Sequence, residues 1–345
     1  MHRLVRPRLA GLLHGAAMVL LAACACTRLP TGPVQRFVPP DRGVTIVDWT
    51  RDGYATAAAQ ASLEALAATG ANSVAIVITA YQSHRSAAAL RGDDARTPST
   101  AAVEQLVRSA RTLGLRVALK PHVDLEDGSW RGHIAPIDPA AWFGSYRAFL
   151  LSWAALAQSL GVEQLVVGTE LAGTIEHERE WRVTIAAVRA ACSSELLYTA
   201  SWDEAARVPF WDALDLVGVD FYSPVTDRPN AGRLEMLAGW QPWLERLERL
   251  HRRAGRDILI AEIGYRSVDG AGMAPYAFAS GARLDLGEQA DLYWAALQAT
   301  GDRGWIRGLW WWNWPADGSG GPLNTDYTAR GKPAADELAA TWGGK

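Results

Sequence analysis

The stretch Val166-Val167-Gly168-Thr169-Glu170-Leu171-Ala172-Gly173-Thr174 starts as an apolar run and ends on a carboxylate. A buried strand ordinarily closes on a turn signal, so an acid at its tail needs a reason. The arrangement recurs in Ile258-Leu259-Ile260-Ala261-Glu262-Ile263-Gly264-Tyr265-Arg266-Ser267, where Glu262 takes the same relative place. Six further β-rich runs complete a set: Val44–Asp48, Ser73–Thr79, Arg116–Lys120, Leu196–Ser201, Leu216–Asp220 and Arg307–Trp312. The two glutamate strands cover Gln164–Gly168 and Ile258–Ala261 in that series.

Helical spacing fills the intervals: Ala55–Thr69, Ala101–Leu113, Ala140–Leu160, Glu178–Cys192, a short Pro209–Ala213, Arg233–Ala254, Gly287–Thr300 and Ala334–Thr341. Strands alternating with helices make a parallel sheet, and eight such units predict closure into a (β/α)8 TIM barrel. A doubly wound open sheet is the competing fold, but no GxGxxG follows the first strand. One domain over residues 43–345 accommodates all eight units, with no composition break inside it.

The N-terminus reads differently. Arg3, Arg6 and Arg8 precede a mostly apolar run from Leu9 to Leu21, then Leu21-Ala22-Ala23-Cys24. Basic, apolar, small is the order of a secretory signal peptide, and the run is too short to be a convincing membrane span. Leu-Ala-Ala-Cys resembles a bacterial lipoprotein box, which implies cleavage of residues 1–23 and a lipid on Cys24. Residues 24–42, with Pro30, Pro33, Pro39 and Pro40, read as a tether. The expected address is the cell envelope, the outer membrane or its periplasmic face, with the lipid as the only membrane contact. The mature chain would carry 31 basic and 37 acidic side chains, a net charge of −6 that disfavours nucleic acid as a partner. With Cys192 alone beyond the tether, the three cysteines build neither a disulfide framework nor a zinc site.

Strand ends gather at the C-terminal mouth of a barrel, where active sites are built. The mouth is therefore expected to hold Trp49, Lys120, His122, Asp124, Glu170, Trp202, Asp203, Asp220, Tyr222, Glu262, Trp312 and Asn313, together with Trp130 and Tyr265 from the loops. Grouping carboxylates is costly, because like charges raise one another's pKa, and it points to function. Two carboxyls aimed at one gap suit glycoside hydrolysis, one protonated to release the leaving oxygen and one ionised to attack. A lone strand-end glutamate would more simply be half of a salt bridge; the matched pair favours catalysis.

Lys120, His122 and Asp124 share one face of their strand and suit sugar hydroxyls. No HxH or HExxH spacing joins His122, Asp124 or His133 into a metal site, and no cofactor motif is present. Sixteen tryptophans, four of them within Gly308–Pro315, serve the core and also offer flat faces for sugar rings.

The segments KPHVDLEDGSWRG, VVGTELAGT, FWDALDLVGVDFYSP, ILIAEIGYRS, GLWWWNWP and DYTARGKPA, in order from Lys120 to Ala334, resemble glycoside hydrolase family 113. These are retaining barrel glycosidases best known for action on β-mannan. The resemblance implies Glu170 as acid/base, Glu262 as nucleophile, Tyr222 as hydrogen-bond partner of the nucleophile, and a strand-eight tryptophan as floor beneath the sugar, Trp312 first, with Trp310 on the same face and Trp311 on the other as alternatives. The wider clan often has asparagine before the acid/base to bind the sugar 2-hydroxyl; Thr169 stands there instead. The expected substrate is a β-linked polysaccharide or oligosaccharide. Two competing functions are a non-catalytic polysaccharide-binding lipoprotein and a hydrolase or transglycosidase acting on the cell's own exopolysaccharide.

Overall fold

Eight parallel strands close on themselves in chain order, each hydrogen-bonded to its sequence neighbours and the last to the first. They are β1 (Asp41–Val47), β2 (Ser73–Gln82), β3 (Arg116–Leu125), β4 (Gln164–Thr169), β5 (Glu195–Ser201), β6 (Leu216–Phe221), β7 (Ile258–Ile263) and β8 (Ile306–Pro315). The helices are α1 (Ala57–Ala68), α2 (Thr100–Thr112), α3 (Pro139–Leu160), α4 (Glu178–Ala191), α5 (Arg233–Gly239), α6 (Gln241–Ala254), α7 (Leu286–Thr300) and α8 (Pro333–Trp342). The computed structural model describes residues 40–278 and 281–343. The leader and Cys24 lie outside the described residues. Among the described residues no helix is long and apolar enough to cross a membrane.

Local chemistry sets the helix ends. Ser99 and Asp138 accept backbone N–H bonds at the starts of α2 and α3, supplying partners that a first turn lacks. Gly161 ends α3 in the left-handed conformation, which costs glycine little.

The structure departs from the sequence reading in two places. The stretch Arg233–Ala254 is two helices rather than one. Pro242 has no N–H and crowds the preceding turn, so the chain breaks at Trp240, whose ring stacks on Phe221 at 4.4 Å. Gly239 reinforces the break, since a Cβ there would lie 1.8 Å from the carbonyl oxygen of Val225. In the second departure, β5 is followed by no α-helix. Two 3-10 turns, Ala205–Arg207 and Trp211–Ala213, make the return to β6.

The core has two parts. Between strands and helices lies a continuous apolar layer. Inside the barrel Trp310 sits among Ala75, Ala118, Val166, Leu197, Leu216, Leu259 and Ala261. Small residues make room for it: a Cβ on Gly43 would fall 2.1 Å from Trp310 Cδ1. Alternation along β8 then sends Trp311 outward onto Tyr293, at 3.7 Å, and returns Trp312 toward the mouth.

Candidate active site

The strands that end in the two glutamates are both irregular. In β4, Val166 pairs with Leu197 but Gly168 pairs with Tyr198, so Val167 is an extra residue. Gly168 must lack a side chain there, because its Cβ would lie 2.7 Å from the Trp181 ring. Glu170 follows with a φ of 51°, left-handed backbone that costs a residue with a Cβ on the order of 1 kcal/mol. Its N–H donates to Thr199 O at 2.8 Å, and the N–H of Leu171 donates to the Tyr198 hydroxyl at 2.9 Å. In β7, Val219 of β6 pairs with Ile260 and Asp220 with Glu262, so Ala261 is stepped over. A bulge of this kind bends the strand and re-aims the next side chain. Here it sets Glu262 beside Asp220, and the carbonyl of Ala261 accepts from Lys120 Nζ at 2.9 Å.

Glu262 is surrounded by donors. Lys120 Nζ lies 2.8 Å from Oε1, and His122 Nε2 lies 3.5 Å from the same oxygen. The Tyr222 hydroxyl donates to Oε2 at 2.8 Å. Burial raises the pKa of Glu262, but the Lys120 charge and the His122 and Lys120 contacts more than reverse this, and the group is held well below the usual carboxylate range. His122 itself is pushed down to about 4 by burial and by the Arg131 charge, so its imidazole is neutral at pH 7. Burial and the adjacent Glu262 charge keep Tyr222 a phenol, able to donate.

Glu170 is pushed the other way. Burial first, and the charge of Glu262 second, raise its pKa against the opposing pull of Arg131, Trp130 and Lys120. Its Oε2 accepts from Trp130 Nε1 at 3.2 Å and lies 3.5 Å from Arg131 Nη1. Asp124 bonds the same Arg131 at 2.5 Å; burial opposes its ionisation, yet Arg131 holds it below the ordinary range. Asp220 is pushed well above that range, by burial first and by the Glu262 and Glu170 charges, with Lys120 pulling the other way. The surroundings thus push the two glutamates in opposite directions, Glu170 toward holding its proton and Glu262 toward losing it, as an acid and a nucleophile in one site require.

Several expected substrate contacts lie elsewhere. Lys120 and Asp220 are both 0% exposed. Lys120 bonds Ala261 and the two carboxylates, while Asp220 accepts from Thr199 Oγ1 at 2.8 Å. They support Glu262 from beneath and leave no surface for sugar. Tyr265, 0% exposed, packs on Tyr293 in the strand–helix layer. Trp202 is also turned outward. Thr199 faces in and Ala200 out, and after Ser201 the Trp202 ring meets Trp243 edge-on at 5.1 Å. Trp202 and Asp203 border a cavity of about 510 Å³ on the helix side, next to Arg246 and Arg253. His122 is almost wholly covered, with its ring parallel to that of Trp312 at 5.9 Å. Trp49 and Trp130 are 45% and 39% exposed, and Trp312 and Asn313 are half-buried at the end of β8. Thr169 donates to Pro121 O at 3.2 Å and is buried, so it does not stand in for the asparagine of the wider clan.

Two residues absent from the sequence-based set complete the site. Arg131 links Asp124 to Glu170, and Thr199 anchors Asp220. Arg131 is adjacent to Trp130 within the DGSWRG segment, and the excess of acids over Lys120 was the available signal for a second cation. Thr199 could have been found from its place two residues before the strand end, on the inward face.

The fold and the paired carboxyls define a barrel glycosidase. The sequence matches Glycoside Hydrolase Family 113 over residues 47–332, and the chain belongs to that family. A structure described as a GH113 β-1,4-mannanase complex is 26% identical, with a TM-score of 0.82, over 89% of this chain and 100% of that one. The GH113 β-mannanase AaManA from Alicyclobacillus acidocaldarius, in complex with ManMIm, is 28% identical with a TM-score of 0.82, over 89% and 98% of the two chains. The β-D-glucuronidase for Dictyoglomus thermophilum, at 15% identity and a TM-score of 0.61, over 88% of this chain and 50% of that one, shares the fold alone. No curated protein matches the sequence.

Proposed function

We propose that this chain hydrolyses β-mannan or manno-oligosaccharides with retention of configuration. The opposite directions in which the site pushes the pKa values of Glu170 and Glu262 carry the reading. Glu262, ionised, attacks the anomeric carbon while Glu170 gives its proton to the departing oxygen. Glu170, now a carboxylate, takes a proton from water, and that water displaces Glu262 to release the sugar. Retention calls for carboxyls about 5–5.5 Å apart. Trp49, Trp130, Trp312 and Asn313, accessible around the mouth, are the proposed sugar contacts, with Trp312 as the floor. Mannan is favoured because the GH113 structures similar to this chain are described as β-mannanases. A purely binding role has no use for two opposed carboxyls. The Leu-Ala-Ala-Cys box supports an exported enzyme held to a membrane through Cys24.

A digest of β-mannan, β-glucan and β-xylan, followed by NMR of the first product, tests this. Reducing ends from mannan, appearing first as the β-anomer, are expected. An initial α-anomer would refute the mechanism, and release from the other glycans alone would refute the substrate.

A further inference from the structure

The loop after β3 is built toward one atom. Asp127 Oδ1 accepts from the backbone and hydroxyl of Ser129, at 2.9 and 2.6 Å, and fixes the turn before Trp130. The Trp130 indole folds back on Gly132, where an added Cβ would lie 2.3 Å from the ring. His133 stands edge-on against it at 5.3 Å. Arg131 is fixed from Nε to Val123 O at 3.2 Å and from Nη2 to Asp124 Oδ1 at 2.5 Å. Gly173, beyond Glu170, lets the two loops abut: a Cβ there would come within 2.3 Å of Ile134 O. The indole N–H of Trp130 and Nη1 of Arg131, neither used in those contacts, meet Oε2 of Glu170 at 3.2 and 3.5 Å.

A carboxylic acid carries its proton on one oxygen, and the other accepts. An oxygen already facing two N–H donors is the accepting one. We infer that Trp130 and Arg131 are positioning residues that hold Oε2 of Glu170 as the acceptor and thereby place the transferable proton on Oε1. The inference rests on the reading of Glu170 as acid/base. In the first step the O–H bond at Oε1 breaks as the proton joins the leaving oxygen. In the second step Oε1 takes the proton of the attacking water. Oε2 keeps both donors throughout, so the carboxyl need not rotate between steps and little reorganisation accompanies either transfer.

The charged groups facing Glu170 are Arg131 and Lys120 from β3 and its loop, Asp220 from β6 and Glu262 from β7. Arg131 pulls the acid down against burial and Glu262. The acid must be protonated to act, so activity is lost as pH rises through its pKa. Losing Arg131 raises that pKa and moves the basic limb upward.

The test uses purified Trp130→Phe, Arg131→Gln and Arg131→Lys, their thermal midpoints, and aryl β-glycosides of graded leaving ability, of the sugar the wild type cleaves. Good leaving groups need no proton. In Trp130→Phe and Arg131→Gln the ratio of kcat/KM on the best to that on the poorest leaving group should rise at least about tenfold over wild type. The basic limb should move to higher pH in Arg131→Gln and return toward wild type in Arg131→Lys. A uniform loss across the series, or an unmoved limb, overturns the clamp while leaving the glycosidase reading intact. A wild type inert on every β-glycoside removes both.

Discussion

The two ends of the barrel both bury charge, and they handle it in opposite ways. At the N-terminal end Asp41 pairs with Arg116, and Glu195 lies 3.1 Å from Arg307 and 3.7 Å from Arg116. Gln164 donates to Asp41 at 3.0 Å. Two acids meet two arginines and an amide, so the formal charges balance; burial raises the pKa of Asp41 against the opposing pull of Arg116 and Gln164. At the mouth, among the described residues, Asp124, Glu170, Asp220 and Glu262 face only Lys120 and Arg131. Four carboxyls cannot all ionise beside two cations in a poorly solvated pocket. The surroundings raise Glu170 and Asp220 and lower Glu262 and Asp124, a division that works toward two anions beside two cations. Balance at the floor comes from composition. At the mouth it depends on how the surroundings divide the pKa values, and one of the raised groups is Glu170, the proposed acid.

The sharpest way to break this contrast is at Glu262, the proposed nucleophile. Glu262→Ala should lower kcat/KM by about 10⁴-fold or more. Azide should restore part of the turnover and yield a glycosyl azide of inverted configuration, read by NMR. Full activity in the variant would sink the assignment. Lys120→Met comes next. It leaves Glu262 and Asp220 without their cation and should cost about 3–5 kcal/mol in urea unfolding. With that cation gone the Glu262 pKa rises. The nucleophile must be ionised, so the acid limb of the pH–activity profile should move upward; a limb that stays put would detach Lys120 from the nucleophile. Smallest is Arg116→Met at the other end. Partial solvation of the arginine reduces the loss to about 2–3 kcal/mol, with kcat/KM within about twofold of wild type. A large fall in kcat/KM there would show that the ends are not independent.

Much of this architecture is legible in the chain. Eight β-rich runs with helical spacing between them give the barrel, because burial on both faces makes parallel strands read as continuous apolar runs. The acids at the ends of β4 and β7 stand out because nothing apolar explains them. The inward or outward direction of the residues around them is less legible. Position after a strand puts Trp202 and Tyr265 at the mouth, yet they face the helix layer, as counting alternate residues from Thr199 shows for Trp202. Lys120 and Asp220 lie on the inward face as read, but one layer too deep to meet a sugar. Register shifts in β4 and β7 leave no mark in composition, since Val167 and Ala261 look like any other strand residue. The break at Trp240 did leave a mark, Pro242, which the regular spacing around it outweighed.

Those two supernumerary residues act as phase shifters. Below Val167 and Ala261 the barrel follows one in–out rhythm, which packs Val166 and Leu259 around Trp310; above them the rhythm is offset by a single step. Floor and rim can therefore vary under separate constraints, one for volume and one for proton inventory. Excising Ala261 would let the pair Val219–Ile260 run straight into Asp220–Glu262, so the acid would keep its face while the carbonyl that holds Lys120 Nζ is lost.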